Sequence, residues 1–301
     1  MAHHAPHEHK RWPFSQIMRV ERERIAYQPI AKNACTSLKA MMIRLAEHPE
    51  ADEILAGDIH RRLDTTDTGL LVKDLGTGVL HQVLGEDDWF RFAVLREPRD
   101  RLLSAFRDKF VKNRNEPGSI HMAEPLAKIA GCGIDDMTFR MFCETVMSIE
   151  PIELNTHWRD QHLYFLEVPC NRFYTVDGLD LLAADLSARC GHPIEIPHHN
   201  RSRTKEREPV PGVADRRAGD FDKAAMATGQ ESFFDASLRA AVDRRFAIDA
   251  ALFHAADAAM TARRRLEEAQ ATDVAPPAAL HRPWRKRLSL NGIKRLVQGE
   301  T

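Results

Sequence analysis

The feature that most constrains this chain is a plan that appears twice: a short β-prone apolar run, a polar loop, then a helix with one apolar face. In the first copy, residues 25–30 (IAYQPI) lead through the turn AKNACTS into TSLKAMMIRLAEH, where Leu38, Met41, Met42 and Leu45 stand at helical spacing. Thr36 or Ser37 is the expected N-cap. In the second, residues 90–95 (FRFAVL) read as a buried strand. Pro98 suits the first turn of the helix that follows, and Leu102, Leu103, Phe106 and Phe110 make its apolar stripe. Strands alternating with helices predict an α/β fold with a mainly parallel sheet covered by helices on both faces.

The rest of the chain is read around these two units. Residues 1–22 form a polar arm whose His3, His4, His7 and His9 read as a solvated tail, and no metal is expected. Residues 49–88, rich in Asp, Gly and Thr, are expected to be irregular, and 113–134 to be a surface excursion. A helix is predicted over 135–149 with Phe139, Phe142 and Val146 on one face, and a core strand over 172–176. Residues 179–190 (LDLLAADLSARC) form a helix that Gly191 ends. A basic, proline-bearing loop spans 196–212, and a long helical region, 233–270, closes the compact part. The expected organisation is an arm (1–22), one domain (23–270) and a basic tail (271–301).

With 301 residues, 43% of them hydrophobic, the chain is long enough for a real core. Its formal net charge of -1 gives no global basic field, so no nucleic-acid partner is expected and any anion site must be local. No apolar run approaches the roughly 20 residues that span a bilayer, and the first thirty residues lack a signal-peptide core, so a cytoplasmic protein is expected. The five cysteines, Cys35, Cys132, Cys143, Cys170 and Cys190, contain no CxxC pair; reduced thiols are the default.

The chemistry is expected where each strand ends and its helix begins, because unpaired N–H groups and the helix dipole favour anions there. Lys32, the backbone of Asn33, Ala34, Cys35, Thr36 and Ser37, and the two hydroxyls of that loop can cradle one phosphate. Arg96, at the end of the second strand, and Ser104, one to two turns into the next helix, can hold another. The pattern GxxxxGK[ST] is absent and the loop contains no glycine, which weighs against an ATP- or GTP-hydrolysing protein. Lys39, Arg101, Arg107 and Lys109 read as helix-surface pairs with nearby acids.

The segment IAKNACTSLK resembles the 5'-phosphosulfate loop of sulfotransferases, and FAVLREPRDRLLSAFRDKF their 3'-phosphate motif, with a serine eight residues after the arginine. The RDKF variant is typical of the Golgi chondroitin-type carbohydrate sulfotransferases and their bacterial relatives. NTHWRDQ resembles that family's HWxPQ segment, RFYTVDGLDLLAADL its next strand and helix, and RRFAIDAALF its terminal Tyr-x-x-Asp-x-x-Leu-Phe-like helix. Ala31, Asp160 and Phe246 depart from the pattern, standing where the family has proline, proline and tyrosine.

The resemblance implies a P-loop-like three-layer fold. It also implies transfer of a sulfuryl group from 3'-phosphoadenosine 5'-phosphosulfate (PAPS) to a hydroxyl of a carbohydrate or glycoconjugate. Lys32 would be the cation on the bridging oxygen, and Arg96 and Ser104 the 3'-phosphate ligands. Arg201 and Ser202, in the late basic loop, would close over the nucleotide. His81 is the first choice of base and His157 its rival. Two other readings are weighed. One is a related nucleotide-binding, kinase-like enzyme. The other is a non-catalytic protein held at a membrane surface by the basic tail, through Trp284, Leu288, Leu290, Ile293 and Leu296 with their flanking Lys and Arg residues.

Overall fold

A computed structural model of the protein describes residues 7–197 and 210–272. In chain order it contains β1 (Met18–Val20), β2 (Ile25–Tyr27), α1 (Cys35–Leu45), α2 (Ala51–Ala56), α3 (Ile59–Thr65), α4 (Val72–Leu75), α5 (Thr77–Gly85) and β3 (Phe90–Leu95). Then follow α6 (Pro98–Phe106), α7 (Pro117–Ile129), α8 (Phe139–Ser148), β4 (Arg172–Thr175), α9 (Leu179–Cys190), α10 (Lys223–Met226), α11 (Ala236–Arg245) and α12 (Ala247–Thr272). The four strands form one sheet in the order β1-β2-β3-β4. β1 pairs antiparallel with β2, and β2–β3 and β3–β4 are parallel. The protein is therefore of mixed α/β class.

The described chain divides into two compact units. The first comprises residues 7–95, 164–197 and 252–272 and carries the whole sheet. Its core packs Leu38, Met41, Met42 and Leu45 of α1 with Ile25, Phe92, Val94, Tyr174, Leu182 and Leu186. Tyr27 stacks on Phe92 across the β2–β3 pair at 4.9 Å. β2 is shorter than expected because Pro29 has no amide hydrogen to continue the ladder, although the Gln28 N–H still donates to the Phe92 carbonyl at 2.9 Å. α9 ends as expected, with Gly191 at φ +74°.

The second unit comprises residues 96–163 and 210–251 and carries α6, α7, α8, α10 and α11. Its core is aromatic. Phe106 meets Phe110, Phe139 and Phe142 at centroid distances of 5.4–5.8 Å, and Trp158 packs edge-on to Phe142.

Several expectations are corrected. Residues 49–88 are largely helical, holding α2 to α5; Asp58 caps α3 by accepting from the His60 and Arg61 N–H groups. The predicted surface excursion contains α7, begun by Pro117 and burying Ala123, Leu126 and Ala127. The stretch read as a polar arm includes β1, and Phe14, Ile17, Met18 and Val20 are buried. The long C-terminal helical region is two helices that meet at Phe246. No helix among the described residues is long and apolar enough to cross a membrane.

Candidate functional site

In the first unit the loop between β2 and α1 is held in an unusual backbone shape. Lys32 has φ +73° and Ala34 φ +57°, both left-handed without being glycine. Such residues cost about 1–3 kcal/mol each and gather at ligand clamps. Asn33, between them, is fully buried, and its Nδ2 donates to the Val94 carbonyl at 2.9 Å, tying the loop to β3. Ala34, not Thr36 or Ser37, is the N-cap of α1, so no side chain caps the helix and Thr36 and Ser37 lie within its first turn. The loop is thus a strained turn whose backbone leads into the positive end of an 11-residue helix.

Around that turn stands a cluster the sequence did not reveal. Lys39, read as a surface lysine, is buried, and its Nζ donates to His60 Nδ1 at 3.2 Å. The opposite ring nitrogen of His60, Nε2, lies 3.1 Å from Thr36 Oγ1 and 4.0 Å from Cys35 Sγ. Burial would push the Cys35 thiol up, but His60, then Lys39 and Lys32, outweigh it and bring the thiol down to about 6. His60 sits in the stretch expected to be irregular, and no motif marks it.

In the second unit Arg96 is fixed by its backbone. The Gln161 side chain accepts from the Arg96 N–H at 3.0 Å and donates to the Arg96 carbonyl at 2.9 Å. Gln161 is itself fully buried, and its own N–H donates to Asp249 Oδ2 at 2.6 Å. The other oxygen of Asp249 accepts from the His162 N–H at 2.9 Å and lies 2.8 Å from His162 Nδ1. Two weak sequence matches, NTHWRDQ and RRFAIDAALF, therefore meet as one hydrogen-bonded brace behind Arg96.

Glu97 caps α6 by accepting from the Asp100 N–H at 2.8 Å, and it also accepts from Arg99 and Gln230 at 3.0 Å. Arg101 is buried rather than on the surface and donates to the carbonyls of Arg159 and Thr156. Arg107 likewise donates to a carbonyl, that of Thr228, at 2.7 Å. Lys109 pairs with an acid as expected, 3.2 Å from Asp108, but both side chains are half-buried rather than on the surface. Ser104 is half-buried in the middle of α6. Asp160, in place of the family's proline, pairs with Arg245 at 2.5 and 3.0 Å.

The two candidate bases fall in different units. His81 is exposed on α5 of the first. His157, in the second, sits with its Nδ1 2.9 Å from Asn155 Oδ1 and its ring 6.3 Å from that of Trp158. Arg201, Ser202, His3, His4 and the basic tail lie outside the described residues.

A family model described as "Sulfotransferase family" matches residues 15–253. Human carbohydrate sulfotransferase 14 is 31% identical over 180 residues, 56% of this chain and 44% of that protein. The zebrafish (Danio rerio) protein of the same name is 26% identical over 212 residues, 62% of this chain and 54% of that one. Human carbohydrate sulfotransferase 8 is 26% identical over 173 residues, covering 52% and 37%. The chain spans about half the length of these relatives. No solved structure matches it.

Proposed function

Because this chain belongs to the sulfotransferase family, we propose that it transfers a sulfuryl group from PAPS to a hydroxyl of a carbohydrate or glycoconjugate. The relatives' names support the carbohydrate acceptor. The observation that carries the reading is the left-handed Lys32–Ala34 turn opening onto a helix that no side chain caps, a backbone shape suited to an anion. The parallel β2–β3 pair ahead of that loop supports a P-loop-like three-layer reading of the fold.

The groups present suit such a donor, being cations, N–H groups and hydroxyls. PAPS supplies the sulfuryl group and a phosphate leaving group. The backbone of residues 33–37, with the Thr36 and Ser37 hydroxyls, holds the 5'-phosphosulfate end. The Lys32 ammonium offsets the charge that grows on the bridging oxygen. Arg96 makes two charge-assisted bonds to the 3'-phosphate, and Ser104 adds a neutral donor to it. The proton of the acceptor hydroxyl passes to a histidine, His81 as first choice and His157 as second.

The test is nucleotide selectivity, measured by titrating adenosine 3',5'-bisphosphate and adenosine 5'-phosphate into wild type, Arg96→Ala and Ser104→Ala. Wild type should strongly prefer the bisphosphate. A bond to a charged group is typically worth about 1.5–3 kcal/mol, so Arg96→Ala should weaken bisphosphate binding by about tenfold to a hundredfold. Ser104→Ala should lose part of the preference. Equal binding of both nucleotides by wild type would end the PAPS reading.

A further inference from the structure

α6 does not end at Phe106 but widens into a π-helical turn over Arg107–Lys112. Such turns are rare and occur frequently at functional sites. The first residue of this one is Arg107, three positions after Ser104. Its guanidinium is held in two ways: Nη2 donates to the Thr228 carbonyl at 2.7 Å, and Cζ lies over the Phe233 ring, 4.8 Å from its centre. Phe233 is itself fully buried. The Nε of Arg107 is buried with no hydrogen-bond partner among the described residues. A buried donor left unsatisfied is destabilising until a ligand oxygen accepts from it.

The guanidinium also carries its charge in a desolvated place. Burial weakens the hold of Arg107 on its proton, and although Asp100 opposes this, the nearby positive charge of Arg96 adds to it, leaving the guanidinium at about 10. Arg96 and Arg107 thus bring two positive charges within electrostatic reach of one another, with Asp100 opposing them. A phosphate monoester dianion carries nearly two negative charges and several acceptor oxygens, and so balances the pair better than a single carboxylate can.

We propose that Arg107 is a third ligand of the nucleotide 3'-phosphate, completing with Arg96 and Ser104 a pocket that takes a phosphate dianion. This rests on the donor reading above. Thr228 and Phe233 act as positioning residues that orient the guanidinium before the nucleotide arrives. Lysine cannot reproduce the planar fork, so it is an imperfect replacement here.

The test extends the two-nucleotide titration to Arg107→Ala and Arg107→Lys, with thermal unfolding of each variant and Arg140→Ala as a surface control. Arg107→Ala should bind the bisphosphate about tenfold or more weakly while its affinity for adenosine 5'-phosphate stays within about twofold of wild type. Arg107→Lys should lose part of the discrimination. Should Arg107→Ala fail to fold, the lysine variant decides, and an unchanged ratio between the nucleotides overturns the proposal. Equal losses for both nucleotides would reveal a purely structural arginine and overturn it too. If wild type discriminates and Arg96→Ala abolishes this while both Arg107 variants keep it, the donor reading stands and this inference falls. If wild type does not discriminate, both fall.

Discussion

Cys35 lies within the anion loop, next to Thr36, and its thiol is brought down to about 6 by His60, Lys39 and Lys32 against the opposing effect of burial. The other cysteines go the other way: burial raises Cys132, Cys143, Cys170 and Cys190 above the ordinary thiol value. A thiolate is the reactive form, so at neutral pH one cysteine of the five should alkylate fast. Its rate should rise as pH passes upward through about 6, and His60→Ala should move that midpoint up towards the ordinary thiol range, about 8.5. Iodoacetamide labelling across pH, with the labelled peptide identified by mass spectrometry, measures both. A wild-type midpoint in the ordinary range would contradict the arrangement. At this scale the placement of Lys32 ahead of α1, of Arg96 after β3 and of Ser104 in α6 was legible, because a strand end and a helix start mark them. His60 was not, since its link to Thr36 and Lys39 spans more than twenty positions and follows no period.

Secondary-structure elements were readable where one carried a full pattern. β3 is a continuous apolar run, α6 has Pro98 in its first turn, and α9 has Gly191 past its end. The helices of residues 49–88 were not readable, because α2 to α5 have four to nine residues each and too few turns to display a periodic face. β1, with three residues, was invisible for the same reason. The brace behind Arg96 joins elements far apart in sequence, and spacing alone could not assign it a role. Asp249 accepts the N–H groups of Gln161 and His162 and contacts the His162 ring, while itself almost fully buried. Asp249→Ala should therefore cost about 3 kcal/mol or more of unfolding free energy, read as a lower urea midpoint with an unchanged slope. Asp249→Asn, which keeps an acceptor oxygen, should cost less. A loss under about 0.5 kcal/mol for Asp249→Ala, the level of an ordinary surface change, would contradict the role of the brace.

For the molecule as a whole, the mixed α/β class followed from the alternation of strands and helices, and the family from two motifs in the right order. The division into two units did not follow, because Leu95 and Arg96 are consecutive in one strand-to-helix reading yet fall on either side of a boundary. Hydrophobic periodicity reports which face of an element is buried, not which core receives it. Lys32 belongs to the first unit and Arg96, Ser104 and Arg107 to the second, and each has a proposed role in sulfuryl transfer. The measurement that tests this most directly is transfer of label from sulfur-labelled PAPS to glycan acceptors by wild type and by Lys32→Ala. Wild type should place the label on the glycan and release adenosine 3',5'-bisphosphate. Lys32→Ala should bind that bisphosphate nearly as well while losing most of its turnover, since its charge acts on the leaving oxygen in the transition state. Label that stays on the donor across chondroitin-type and other glycans, or a Lys32→Ala variant with undiminished turnover, would contradict the account.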